Sequence, residues 1–184
     1  TNEGYILFSD FSGYYANILH DVALAQLEKY LAREIADPAE LEQVMGVLRT
    51  TFKTYELDVS RFSDEEIQRM YREKISSTLN FGVPASALTG QKMLRKGVDI
   101  GNQISQNVGI FLPAPLDNYV KIVCGIKGYA RYSDDFYKMA RTKEELHRAM
   151  AGVRREAEQL GLIINEKKTC ICKLGGQYRH LQML

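Results

Sequence analysis

Tyr132-Ser133-Asp134-Asp135 is the run on which the reading of this chain turns. Gly128-Tyr129-Ala130-Arg131 before it reads as a short strand, and Phe136-Tyr137-Lys138-Met139 after it reads as another. The sequence therefore predicts a hairpin with two carboxylates side by side at its tip. Adjacent Asp residues repel each other, and a tight turn leaves them little room to separate. A divalent cation between them makes the arrangement favourable. Asp is also a common turn residue, so the tetrapeptide alone reads equally well as an ordinary turn. A third carboxylate, Asp10, far upstream in a run of the same character, tips the balance towards a cation.

Working outward, Tyr5-Ile6-Leu7-Phe8 is an apolar run suited to a buried strand, delivering Ser9-Asp10 at its carboxyl end. Phe11-Ser12-Gly13 follows, with Gly13 permitting a tight bend. A helix is then expected over 14–32, with Tyr15, Ile18, Leu19, Val22 and Leu31 on its buried face. A second helix is expected over 37–56, with Asp37 as N-cap, Pro38 in the first turn and Glu40 closing a capping box. Ser63 to Glu66 repeats the box ahead of Ile67, Met70, Tyr71 and Ile75, whereas 80–101 reads as irregular around Gly82, Pro84, Gly90 and Gly97. Gly97 to Gln106 contains two glycines ahead of a helix expected to run towards Leu116, ended or kinked by Pro113 and Pro115. Backbone amides at such a glycine turn can approach a phosphate or a base, although the string alone has low specificity. Beyond the hairpin, Thr142-Lys143-Glu144-Glu145 is another capping box. Leu146, Met150, Val153, Ala157 and Leu160 form an apolar stripe, Gly161 is a C-terminal cap, and strands are expected at 162–164 and 170–174.

With 184 residues, 45% apolar and 26% charged, the composition is that of a soluble domain with a proper core. No apolar run approaches the roughly 18 residues that span a bilayer, and no signal-peptide pattern opens the chain. Cys124, Cys170 and Cys172 do not form a disulfide framework, and a Cys-x-Cys pair without His or Cys partners is a poor zinc site. They read as reduced thiols, and the expected location is cytoplasmic. The net charge of +1 hides an asymmetry: residues 1–120 hold 11 basic against 16 acidic side chains, residues 121–184 hold 13 against 7. A polyanion would be drawn to the second part, although charge alone is weak evidence.

The element order suits an α/β (α+β) layer, a small antiparallel sheet backed by helices, in which Asp10, Asp134 and Asp135 converge. With those residues in place, the chain resembles the palm of a reverse transcriptase, with part of the fingers. Asp10-Phe11-Ser12-Gly13-Tyr14-Tyr15 resembles the family's first catalytic motif, Gly97 to Gln106 its template- and nucleotide-contacting motif, and Tyr132 to Asp135 its Tyr-x-Asp-Asp box. Gly161-Leu162 with Asn165-Glu166-Lys167-Lys168-Thr169 resembles the fourth motif, and 173–183 hold the start of a fifth. Ile100-Gly101-Asn102-Gln103-Ile104-Ser105-Gln106 departs from the commoner Gln-Gly-x-x-x-Ser-Pro, and resembles the variant of diversity-generating retroelements. The resemblance thus leans to bacterial retroelement enzymes, group II introns included.

The resemblance implies an RNA-directed DNA polymerase working on an RNA template, a DNA or RNA primer and dNTPs, with two Mg²⁺ ions (Mn²⁺ as the substitute). Asp10 and Asp134 would be the main ligands, supported by Asp135, of a metal pair that activates the primer 3′-hydroxyl and holds the triphosphate. Phe11 and its neighbours would offer backbone contacts to the triphosphate, and Tyr15 would be the steric gate against a ribose 2′-hydroxyl. Ile100 and Gly101 would line the nascent base pair, and Lys168 (Lys167 as second choice) would stand by the pyrophosphate as proton donor. Tyr15 as a core aromatic and Ile100 as packing under the glycine turn are the structural alternatives. The upstream fingers motifs and a thumb are absent, so residues 1–184 are expected to be a palm fragment, which can be inactive alone. A defence-type polymerase with little or no template, and an RNA-binding, maturase-like scaffold with an unidentified accessory protein, are the competing functions. Intact Asp10, Asp134 and Asp135 argue against the scaffold.

Overall fold

The computed structural model describes residues 4–73 and 93–174. Its centre is a four-stranded antiparallel sheet built from β1 (Tyr5–Ser9), β4 (Gly128–Tyr132), β5 (Asp135–Ala140) and β6 (Cys170–Lys173), in the order β4-β5-β1-β6. The predicted hairpin is present: Tyr132 pairs with Asp135, so Ser133 and Asp134 alone form the turn. Asp135 is the first residue of β5 rather than part of the tip. β1 lies between β5 and β6, pairing Ser9 with Phe136 and Phe8 with Cys170. The end of β1 is thereby brought beside the hairpin turn.

Helix α7 (Lys143–Gln159) covers one face of the sheet. Its capping box is complete, with Thr142 accepting from the Glu145 N–H and Glu145 returning to the Thr142 N–H. The whole predicted stripe of Leu146, Met150, Val153, Ala157 and Leu160 is buried in the main core with Leu7 and Phe136. Gly152 interrupts this helix for a packing reason: a Cβ there would lie 2.0 Å from the Tyr119 ring. Tyr119 opens a π-helical turn, Tyr119–Val123, that continues α6 (Ala114–Asn118). α5 (Gln103–Phe111) is capped by Asn102, which accepts from the Ser105 N–H. The helix expected to run through to Leu116 is therefore two helices, because Pro113 takes the N-cap of α6 and Pro115 fits its first turn.

The helix expected over 14–32 is also divided, into α1 (Tyr14–Asn17) and α2 (His20–Glu34). Ile18 and Leu19 are extended between them, where Leu19 bridges Lys96, the Gly97 N–H donates to the Ile18 carbonyl and the His20 N–H donates to the Arg95 carbonyl. Apolar periodicity continues through that break because both residues are buried either way. α3 (Pro38–Lys53) starts at Asp37, whose carboxylate accepts from the Ala39 N–H. The return bond expected from Glu40 is not among the hydrogen bonds of the described residues. α4 (Asp64–Glu73) does have its box, Ser63 and Glu66 bonding reciprocally. A two-stranded ribbon of β2 (Leu57–Asp58) and β3 (Met93–Leu94) and a satellite core of Leu19, Val59 and Ile67 complete this region. Of the stretch 80–101 expected to be irregular, residues 80–92 with Gly82, Pro84 and Gly90 lie outside the described residues, as do Ile75 and 175–183 of the expected fifth motif.

The strand expected at 162–164 is reduced to one bridge, Ile164 opposite Phe11. Gly161 does close α7 in the left-handed region at φ 69°. The chain after it then runs alongside residues 10–12, the Ser12 N–H donating to the Ile163 carbonyl and the Asn165 N–H to the Asp10 carbonyl. All three cysteines are free.

Candidate active site

A cleft of about 340 Å³ opens at the carboxyl end of β1, lined by Asp10, the loop Phe11 to Gly13, Tyr14 to Ala16, Ile100, Asp134, Asn165 and Lys168. Six of the residues singled out from sequence, Asp10, Phe11, Tyr15, Ile100, Asp134 and Lys168, thus share one concavity. Gly101 lies next to Ile100 in the left-handed region at φ 109°, outside the lining, and a Cβ there would meet nothing. Asp135 also lies outside the lining but within electrostatic reach. Burial first, then the charges of Asp134 and Asp10, push its carboxyl above the ordinary Asp range.

Asp10 is 5% exposed. Lys168 donates to its Oδ2 at 2.8 Å, while Oδ1 is buried without a hydrogen-bond partner. The bond to Asp10 is the main reason that the Lys168 ammonium holds its proton more firmly than a free lysine, with Asp135 and Asp134 adding to it. Ser9 and Thr169 share a hydroxyl bond of 2.7 Å behind this pair, and Thr169 donates to the Asn165 carbonyl, which shapes the turn that delivers Lys168.

The three carboxylates were expected within ligand distance of one another, and here the structure differs. Among the described residues, no three His, Cys, Asp or Glu side chains are gathered to hold an ion. Lys168 draws off one Asp10 oxygen, and mutual repulsion works against the rest closing up. The donor set nevertheless fits a hard divalent cation: carboxylate oxygens are offered, one of them buried and unpartnered.

Phe11 is buried in the core, stacked on Tyr14 with ring centroids 5.3 Å apart. Its side chain therefore faces away from any ligand. The bridge to 163–165 uses the Ser12 amide and the Asp10 carbonyl, leaving the Phe11 amide outside that pairing. Tyr15 stands edge-on to Tyr14, and its hydroxyl meets Ser133 Oγ at 3.2 Å. Gly109 makes room for it, since a Cβ there would lie 2.6 Å from the Tyr15 oxygen. Ile100 is 82% exposed, so it does not pack under the glycine turn.

Sequence reasoning overlooked Asp117 and Arg131. Arg131 Nε and Nη2 clasp the two Asp117 oxygens at 2.9 and 2.7 Å, and Tyr129 donates to Oδ1 at 2.6 Å. The only available signal was an Arg placed next to the box, on a strand where it would otherwise lie among apolar neighbours.

Comparison with known proteins agrees with the fold. The family model described as reverse transcriptase (RNA-dependent DNA polymerase) matches residues 1–182. The chain belongs to the reverse transcriptase family. No curated protein matches it. Among solved structures it is similar to apo telomerase from Candida tropicalis, truncated from the C-terminal domain, at TM-score 0.55 and 12% identity. That likeness covers 97% of this chain but 32% of the telomerase chain, so the chain spans about a third of that structure. At this identity the likeness concerns the fold. The reverse transcriptase palm, a small antiparallel sheet backed by helices, is the fold described above.

Proposed function

We propose that this chain is the catalytic palm of an RNA-directed DNA polymerase from a bacterial or phage retroelement, extending a DNA or RNA primer along an RNA template with dNTPs. The observation that carries the reading is the convergence of Asp10, Asp134, Tyr15, Ile100 and Lys168 on one cleft, with an unpartnered buried oxygen on Asp10.

Asp10, Asp134 and Asp135 would hold a pair of Mg²⁺ ions. When bound, such a pair lowers the pKa of a primer hydroxyl and neutralises charge on the triphosphate and its leaving group. The residues themselves do the rest. The backbone of Phe11 to Gly13 approaches the triphosphate, with the left-handed Gly13 keeping that loop free of a side chain. Tyr15, braced by Ser133 and by the surface of Gly109, occupies the space a 2′-hydroxyl needs. Lys168 is 61% exposed on a flexible stem, so it can leave Asp10 and give its proton to the departing pyrophosphate. Ile100 aligns the new base pair by apolar contact alone. No helix among the described residues is long and apolar enough to cross a membrane.

Primer extension by the full-length protein on an RNA template tests the proposal. Mg²⁺-dependent DNA synthesis that Asp134→Asn abolishes is the expected result. Template-independent addition would favour the defence-type reading, and synthesis unaffected by Asp134→Asn would overturn the site.

A further inference from the structure

Arg131 lies three residues before Asp134, on β4, with its side chain 7% exposed. Its guanidinium joins three separate pieces of backbone and side chain. Nε and Nη2 take the Asp117 carboxylate on α6, Nη2 also donates to the Ile110 carbonyl of α5 at 2.7 Å, and Nη1 donates to the Ser133 carbonyl at 2.8 Å. The Gly109 carbonyl stands at 3.5 Å from Nη1 and accepts the Tyr14 hydroxyl at 2.8 Å.

The bond to Ser133 reaches the catalytic turn itself. Ser133 is the sole non-glycine residue in the left-handed region among those described, at φ 54°. A side chain makes that conformation unfavourable, so something must hold it. With only two residues in the turn, the peptide after Ser133 sets the direction in which Asp134 leaves the backbone. The Ser133 hydroxyl in turn meets Tyr15. Arg131's charge is matched by Asp117, so what it brings to the turn is geometry. A lysine could keep the charge but not the planar fork that serves Asp117, Ile110 and Ser133 together.

We propose that Arg131 is a positioning residue: anchored on Asp117, it holds the left-handed Ser133 turn and thereby sets the Asp134 carboxylate and the Tyr15 ring over the cleft. This rests on the polymerase reading above for its kinetic consequences, though not for its structural one.

The test uses Arg131→Lys and Arg131→Met in the full-length protein, followed by kcat, dNTP KM, Mg²⁺ dependence and the ratio of ribonucleotide to deoxyribonucleotide use. Arg131→Lys should fold and lose roughly ten- to hundredfold in kcat, the scale of a displacement of about 1 Å at a reacting group. It should also need more Mg²⁺ for half-maximal rate and discriminate sugars less well, two changes that a loss of stability alone does not produce. Should Arg131→Met not fold, the Lys variant carries the test by itself. Wild-type kcat, Mg²⁺ dependence and sugar discrimination in Arg131→Lys would overturn the proposal. A crystal structure of Arg131→Lys separates its failure from that of the polymerase reading. If Ser133 stays left-handed and Asp134 does not move, the positioning role is wrong whatever the enzyme does; if the turn relaxes, it stands even where no templated synthesis is found.

Discussion

Asp10 and Asp117 are two carboxylates that each meet one cationic side chain, and they are equipped in opposite ways. Asp117 receives three donors from Arg131 and Tyr129, which together serve both of its oxygens. Asp10 is the more deeply buried, yet it has a single side-chain donor and leaves Oδ1 with none. Their cations differ too: Arg131 is enclosed and fixed, whereas Lys168 is a largely exposed ammonium. An unpaired buried acceptor costs on the order of 1–3 kcal/mol. Stability does not account for keeping one at Asp10, whereas the cation site proposed above would. A satisfied carboxylate is architecture; the unsatisfied one is, in the proposed reading, a cation ligand.

Substitution at Asp10 should therefore separate activity from stability. Asp10→Asn is expected to lower primer extension by roughly 10³-fold, about 4 kcal/mol of transition-state stabilisation, with the urea midpoint unchanged or raised. A variant that lost stability without losing activity would reverse the roles assigned to the two carboxylates.

Lys138 extends the comparison to a buried amine with no carboxylate partner among the described residues. It is 0% exposed on β5, its ammonium nitrogen 3.3 Å from Met150 Sδ and 5.3 Å from the Phe136 ring centroid. Burial lowers its pKa to about 7, Cys124 opposing that shift and Arg154 adding to it. A lysine whose folded pKa lies below its unfolded value binds fewer protons when folded. Its contribution is therefore least favourable below pH 7, and stability recovers as pH rises from about 7 towards 10.5. Lys138→Met should remove most of that slope and stabilise the fold at pH 6 by up to about 4 kcal/mol, read from denaturant curves at several pH values. Identical slopes in the two proteins would mean that the amine reaches water or a partner in solution.

Asp117→Ala makes the complementary case. It strands Arg131 among Gly109, Ile110 and Ser133, and unfolding measurements should show a loss of about 3 kcal/mol. A loss below about 1 kcal/mol would place the pair with ordinary surface bridges.

Much of this contrast could be read from the residues. The hairpin, Asp10 at a strand end, the capping boxes at Ser63 and Thr142 and the stripe of α7 all rest on local chemistry that repeats wherever those residues occur. The misreadings share one cause, which is tertiary contact overriding local pattern. Ile18 and Leu19 leave the helix because residues 95–97 offer them backbone partners, and 162–164 is not a strand because only residues 10–12 lie beside it. Arg131 was invisible for a related reason: its acceptors come from α5, α6 and the turn, and nothing local shows that they meet. That Asp10 and Lys168, 158 residues apart, serve one site is implied only by the family resemblance, and their direct ion pair by nothing in the sequence.

Two smaller effects refine the cleft. Tyr15→Ala should raise ribonucleotide incorporation at least several-fold relative to deoxyribonucleotide, since the ring no longer fills the 2′ space. Unchanged discrimination in a folded, active variant would return Tyr15 to the role of a packing residue between Tyr14 and Gly109. At Ile100, proposed to align the base pair by apolar contact alone, Gln would add a polar contact worth about 0.5–1.5 kcal/mol, so Ile100→Gln should improve fidelity by a few-fold to tenfold. Its exposure predicts little change in stability. Equal misincorporation on one RNA template would end the fidelity argument.

The central claim, that Asp10 is a cation ligand, is tested most directly by counting bound ions. Mn²⁺ electron paramagnetic resonance titrations of the full-length protein, with primer–template and a non-extendable nucleotide, should show two tightly bound ions. Asp10→Asn should weaken that binding at least tenfold, while Glu42→Gln, a surface pair with Arg49 on α3, should leave it unchanged. Equal Mn²⁺ stoichiometry and affinity in wild type and Asp10→Asn would contradict the account.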